Sequence, residues 1–152
     1  MRISISGNAR NLDHATIRKA LQWYARDLMP KLHTKLSLEL DITTTLRKRE
    51  GIIGAATCWY EDAKRKPTVF HMEMEANLSK RVALRILAHE MVHVKQFATG
   101  EMREYPRSSN IRWHGRNVRM RHGDAYWEQP WEIDSYGREV GLFYRFRRDT
   151  GI

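Results

Sequence analysis

Residues 77 to 100 hold the feature that most limits what this chain can fold into. Val82, Leu84, Ile86, Leu87, Met91, Val92, Val94 and Phe97 recur so closely that apolar side chains run nearly all round one helix. Such a helix belongs in the middle of a domain rather than on its surface. Asn77 or Ser79 can begin it, and Gly100 is well placed to end it. Within it stands His89-Glu90-Met91-Val92-His93, an H-E-x-x-H match. Two imidazoles and a carboxylate are costly in such surroundings unless they are paired or bound to something. Residues four apart share a helix face, so both histidines can reach one ion. Neutral histidine nitrogen suits Zn²⁺. Glu90 is one step from His89, beside the ion and not on it. From there it can take a proton from a water at the metal and pass it to a leaving amine.

The flanking segments read as a mixed α+β order. Ile3 and Ile5 alternate with polar residues from Arg2 to Ser6, a short strand pattern. Asp13 can cap a helix running to about Met29, with Ile17, Leu21, Tyr24 and Leu28 on one face. Leu36, Leu38, Leu40 and Ile42 alternate with Ser37, Glu39 and Asp41, a strand with one buried face. Ile52 to Tyr60 and Val69 to Ala76 are expected to pair as an antiparallel hairpin across a charged turn at Glu61 to Pro67. In the second of these, Phe70, Met72 and Met74 face one way and His71, Glu73 and Glu75 the other. After the apolar helix, Ile111 to Met120 reads as a hairpin turning at His114-Gly115. Pro130 opens a last helix whose buried stripe is expected to be Ile133, Val140 and Phe143.

Composition narrows the class. The chain has 152 residues, 41% of them hydrophobic and 30% charged, which suits one folded domain over residues 1–152. Cys58 is the only cysteine, so an intrachain disulfide framework is excluded. No apolar run approaches a membrane span, and the first residues lack the apolar stretch of a signal peptide. The expectation is a soluble protein of a reducing compartment, the cytoplasm. Lysine plus arginine is 27 against 18 acids, a net charge of +9 that suits an acidic partner without identifying one.

A catalytic zinc takes three protein ligands and keeps one position for water. The third ligand must come from downstream. Glu132, Asp134 and Glu128 all lie near the start of the last helix, where acids are also favoured by the helix dipole. His122 is a further candidate. His89-Glu90-x-x-His93 with Glu132-x-x-Ser135-Tyr136 resembles the glutamate-zincins, whose third ligand is a glutamate of an E-x-x-A-like helix. Serine stands here in place of that alanine, and Tyr136 where the pattern usually has Asp or Asn. The resemblance implies a zincin-like domain in which a mixed or antiparallel sheet packs on the buried H-E-x-x-H helix beside a C-terminal helix. It implies a zinc metallopeptidase with His89, His93 and Glu132 as ligands and Glu90 as general base, acting on a peptide or protein substrate. More narrowly, His89 to Gln96 with Pro130-Trp131-Glu132-Ile133-Asp134 is similar to small metallopeptidase-like proteins encoded by bacteriophages, which would place the chain in a bacterial host's cytoplasm. Arg121-His122-Gly123-Asp124 and Trp113-His114-Gly115 resemble the His-Gly context of SprT-like metallopeptidases, in which the third ligand is a histidine.

Three further expectations follow. By the zincin resemblance, the strand at Val69 to Ala76 would be an edge strand that binds extended peptide. Tyr126 and Tyr136 could donate a hydrogen bond to an oxyanion, or pack beside Trp127 and Trp131. Arg112, Arg116, Arg119 and Arg121, with Trp113 and His114, form a basic segment with aromatics, and Arg145, Arg147 and Arg148 add charge near the C-terminus, where cations also complement the helix dipole. Such a mixture can hold phosphates and stack on bases, so a zinc-stabilised binding module for nucleic acid is the alternative reading.

Overall fold

A computed structural model describes residues 1–46, 48, 56–61, 65–105 and 108–152. Four strands, β1 (Arg2–Ser6), β2 (Ser37–Thr43), β3 (Ala56–Tyr60) and β4 (Val69–Glu75), form a sheet in the order β1-β2-β4-β3. β1, β2 and β4 are mutually parallel, and β3 runs antiparallel to β4. The hairpin partners of the sequence reading are therefore found. The Ile52 to Ala55 part of the expected strand, and part of the expected Glu61 to Pro67 turn, lie outside the described residues. A parallel pair needs a crossover, and α1 (His14–Leu28) supplies it between β1 and β2.

Registry follows the alternation. Ile3 and Ile5 lie opposite Leu38 and Leu40, which lie opposite Phe70 and Met72. These side chains face the helices, and those of β2 and β4 are buried completely or nearly so. Glu39, Asp41, His71 and Glu73 take the other face. His71 sits there between Glu39 and Glu61, with its ring stacked on Trp59. Glu75 departs from the expected open face: it is buried at the strand end, where it accepts from the Asn77 amide.

The helix caps are those the sequence suggests. Asp13 accepts from the Thr16 amide and hydroxyl, both at 2.8 Å. Ser79 caps α2 (Lys80–Thr99) through the Val82 amide, and Gly100 closes it in the left-handed region at φ 78°. Thirteen side chains of α2 are buried, although Val82 in its first turn is exposed. α2 is thus the central element, with α1 on one side and α3 (Pro130–Thr150) on another. Tyr24 of α1 donates to the Leu84 carbonyl at 3.1 Å, and its ring packs with Trp23 against Phe146 of α3.

α3 differs from the expectation. Phe143 is buried, but Ile133 is 58% exposed and Val140 41%. The inward face is Trp131, Glu132, Ser135, Glu139, Leu142, Phe143 and Phe146. Successive helical residues are rotated by about 100°, so turning Glu132 inward necessarily turns Ile133 out.

A second, three-stranded antiparallel sheet follows α2. It consists of β5 (Met102–Glu104), β6 (Asn110–Trp113) and β7 (Arg116–Arg119). β6 and β7 are the hairpin expected around His114-Gly115, and β5 is an addition. His114 itself takes a positive φ of 44° and Gly115 one of 84°, the needs of a tight turn. A short 3-10 helix, Gly123–Glu128, leads into α3. Among the described residues no helix is long and apolar enough to cross a membrane.

Candidate metal centre

α2 and α3 run antiparallel, tied at successive levels by Arg81 with Tyr144, Arg85 with Glu139, and Gln96 with the Trp131 carbonyl. His89, His93 and Gln96 project from α2 at positions i, i+4 and i+7. Glu132, Ser135 and Glu139 project from α3 at i, i+3 and i+7. Each set lies on one helix face, and the two faces meet.

His89 Nε2 and His93 Nε2 are 3.1 Å apart. Glu132 Oε2 lies 3.4 Å from the first, and Oε1 lies 3.5 Å from the second. His89, His93 and Glu132 form a group whose donor atoms all fall within 4.8 Å of one another. The other ring nitrogens fix which way these atoms present themselves. His89 Nδ1 faces the Glu139 carboxylate at 3.2 Å, an acceptor only. His93 Nδ1 faces Gln96 Oε1 at 2.9 Å, and the Gln96 amide nitrogen is committed to Trp131 O, Asp134 and Ser135. Both Nδ1 atoms therefore carry the proton, and both Nε2 atoms turn lone pairs toward Glu132.

With both imidazoles neutral, three acceptors converge on one point and repel unless positive charge sits among them, a proton on an Nε2 atom or a metal ion. Glu132 Oε2 is buried without a hydrogen-bond partner among the described residues. The titration of the protein alone shows the same demand. Burial works to lower the His89 imidazole, yet Glu132 and Glu139 outweigh it and hold it up at about 9. His93 is also raised against its burial by Glu132 and Glu90. Glu132 is buried too, but the two histidines bring it down to about 2. Two imidazole nitrogens and one carboxylate oxygen are the donor set zinc accepts.

Glu90 lies beside this group in a cleft of about 260 Å³ whose walls include Thr57, Cys58, His93, Tyr126, Gln129 and Glu132. Burial raises its carboxyl, while His93 and His89 pull it down. The Cys58 thiol reaches Glu90 from β3, and burial and that carboxylate push its pKa well up. Tyr126 reaches Glu132 from the 3-10 helix, and its hydroxyl is likewise raised, first by burial and then by Glu132. Tyr136 lies against the His89 ring, centroids 4.4 Å apart, and against Trp127 at 5.1 Å. Burial, with Glu132 and Glu139, lifts it to about 12.

The other third-ligand candidates stand elsewhere. His122 is exposed at the cleft wall, at the position that precedes the 3-10 helix. Glu128 pairs with Arg121 in solvent. Asp134 is held by Arg138 and by the Gln96 amide. His114 lies in its turn, 57% exposed. The strand at Val69 to Glu75 is an interior strand of its sheet, not the expected edge. Among the described residues β3 holds the edge, running antiparallel outside β4, and it is β3 that contributes Ala56, Thr57 and Cys58 to the cleft.

Gln96 and Glu139 as histidine partners, and Cys58 as a neighbour of Glu90, are additions to the sequence reading. The first two had a signal: each continues the helical spacing of the group, Gln96 three after His93 and Glu139 seven after Glu132. Cys58 had none, since only sheet order brings it to α2. No family model matches the chain, and neither a curated protein nor a solved structure matches it.

Proposed function

We propose that this protein is a zinc-dependent peptidase of zincin-like design. The observation that carries the reading is the convergence of two histidine lone pairs and the unpartnered Glu132 oxygen beside Glu90 in an open cleft. His89, His93 and Glu132 would hold the metal, leaving a position toward the cleft. Zinc supplies Lewis acidity there, polarising a carbonyl and acidifying water.

The chain's own residues do the remainder. Glu90 receives the proton of the attacking water and delivers it to the leaving amine. Its environment suits both steps, because burial favours the protonated form and positive charge at the neighbouring site, on the histidines without metal or on the cation with it, favours the ionised one. Glu139 and Gln96 hold the imidazoles in the binding tautomer. Tyr126 and Tyr136 remain protonated at neutral pH and border the group, so either can donate to the developing oxyanion. β3 has no strand beyond it among the described residues, and its free edge can pair with an extended peptide of any sequence.

Metal analysis of protein purified without added zinc tests the site. About one zinc per chain, lost in His89→Ala and in His93→Ala, supports the reading. Full folding without metal uptake overturns it. Glu90→Gln then tests the chemistry, and should retain zinc while losing peptide hydrolysis.

One observation favours a second reading. In the three-stranded sheet, Arg103, Arg112 and Asn117 are in register, and Asn110 and Arg119 share their face. All five are exposed. Arginine and asparagine with no apolar anchor suit phosphate and base edges better than a protein surface. On this reading the chain is a zinc-stabilised nucleic-acid-binding module. Binding would weaken steeply with salt, disappear in a triple Arg103, Arg112 and Arg119 to alanine variant, and survive Glu90→Gln.

A further inference from the structure

The three-stranded sheet turns its second face toward the body of the protein. Met102, Ile111, Trp113 and Val118 alternate with Arg103, Arg112 and Asn117, and they are buried or half-buried. Glu104 shares this inward face and is its one carboxylate. Arg116, the one cation of the face, lies two strands away beside the His114-Gly115 turn. Glu104 stands at the wall of the cleft that holds the metal group, as does Met102. The Tyr60 hydroxyl reaches it from β3. One such donor leaves most of the acceptor capacity of two carboxylate oxygens open. The cations nearby are engaged elsewhere: Arg103 lies over the Tyr105 ring, and Arg121 pairs with Glu128. Among the described residues no cation pairs with Glu104.

The cleft has room beyond the metal group. A water takes about 30 Å³ in the liquid, against a cleft of about 260 Å³. Its carboxylates are Glu90, Glu132 and Glu104, and the first two already serve the metal group. Phe97, Met102 and Trp131, all buried, give it an apolar wall. One helical turn, about 5.4 Å, separates Phe97 from His93. The Phe97 ring meets that of Tyr60 with centroids 4.9 Å apart, and Tyr60 reaches Glu104. Glu104 is thus set back from the metal group, with apolar surface before it. We propose that this part of the cleft is a side-chain pocket for lysine or arginine, and that Glu104 selects them. The proposal rests on reading the cleft as peptide-binding. Lysine and arginine lay a methylene stem along apolar surface and carry their charge beyond it. An apolar side chain would cover the wall but leave the Glu104 oxygens without a partner. An acidic one would meet a like charge. Main-chain pairing at the β3 edge accepts any sequence, so selectivity has to come from such a pocket. A chain of net charge +9 does not draw cations from a distance, so the preference is local to the cleft.

Calorimetry with acetylated, amidated alanine heptapeptides carrying one central lysine, arginine, norleucine or glutamate reads the pocket. The protein carries Glu90→Gln, so that nothing is cleaved during the titration. The lysine and arginine peptides should bind about tenfold tighter than the norleucine peptide, and the glutamate peptide weakest. Adding Glu104→Gln should bring the lysine-to-norleucine ratio close to one. Its amide oxygen still accepts from Tyr60 and the position is exposed, so circular dichroism should be unchanged. Glu39→Gln removes an equal charge from the outer face of the four-stranded sheet and should keep the ratio. Absence of binding, a ratio near one with Glu104 intact, or a ratio that survives Glu104→Gln overturns the proposal. So does a ratio lost equally in Glu39→Gln. Hydrolysis is read separately, with Glu90 intact. A lysine preference in binding without cleavage of the lysine peptide upholds the pocket and overturns the peptidase reading. Cleavage of all the peptides with no lysine preference does the reverse.

Discussion

α2 and α3 lie side by side and treat their side chains in opposite ways. α2 buries apolar and polar residues together, with His89, His93 and Gln96 embedded among Leu87, Met91 and Val94. α3 turns Glu132, Ser135 and Glu139 inward and leaves Ile133 and Val140 in solvent. One helix is buried because it is apolar. The other takes its rotation from where its carboxylates must point. A buried carboxylate with a cationic partner available outweighs the gain from covering one aliphatic side chain, about 1.5–3 kcal/mol.

The contrast breaks most sharply at the ligands. Glu132→Ala should lower zinc affinity by more than about a hundredfold, beyond the 10–100-fold typical of an outer-shell change, while His122→Ala changes it little; competition with a chelator of known affinity measures both. A Glu132→Ala protein that keeps its zinc would show that α3 owes its rotation to something else.

Next come the deepest apolar residues of α3. Phe146→Ala should cost about 3–5 kcal/mol of folding stability, since its ring is fully buried against Trp23 and Tyr24. Ile133→Ala should stay within about 0.5 kcal/mol, since the side chain is exposed. Urea titration of the two variants distinguishes a helix held by its far end from one held by its expected stripe.

A smaller effect separates ligands from their supports. Glu139→Gln should weaken zinc binding by about 10–100-fold, and Gln96→Ala by a comparable factor, both with the stoichiometry intact. No change in either would mean that the imidazoles orient themselves without α3.

The smallest effect is a proton count. In the metal-free chain His89 is held up at about 9, above its ordinary 6.5. Its stabilising contribution is therefore complete below about 6.5 and lost as pH rises through 9. Zinc needs the neutral imidazole, so binding near pH 7 must release protons, and affinity should rise with pH. Calorimetry in buffers of different ionisation heat reads the number. An affinity flat from pH 6 to 8 would contradict the raised His89.

Much of this was legible along the chain. The caps at Asp13 and Ser79, the stop at Gly100 and the alternation of β2 and β4 are local properties, written in residues next to the positions they govern. His89, Glu90 and His93 were legible for the same reason, because four residues of helix bring the two imidazoles together whatever the rest of the fold does. Glu132 could be named only as one of several acids near a helix start. Nothing local distinguishes it from Glu128 or Asp134; the packing of α3 against α2 does, by setting which face of α3 turns inward.

Local residue order specifies a buried helix carrying a histidine pair, the strands that flank it, and a basic chain without an intrachain disulfide. Those follow from periodicity, capping and charge, each acting over a few residues. Packing between elements settles that, among the described residues, β3 and not β4 holds the sheet edge, that Cys58 reaches Glu90, and that Glu139 and Gln96 steady the imidazoles. It also decided that Ile133 and Val140 face outward. Each of these depends on how one element is placed or rotated against another, and apolar burial is non-directional. Directional contacts between distant residues, the buried histidines with their carboxylates above all, select the one rotation that satisfies them.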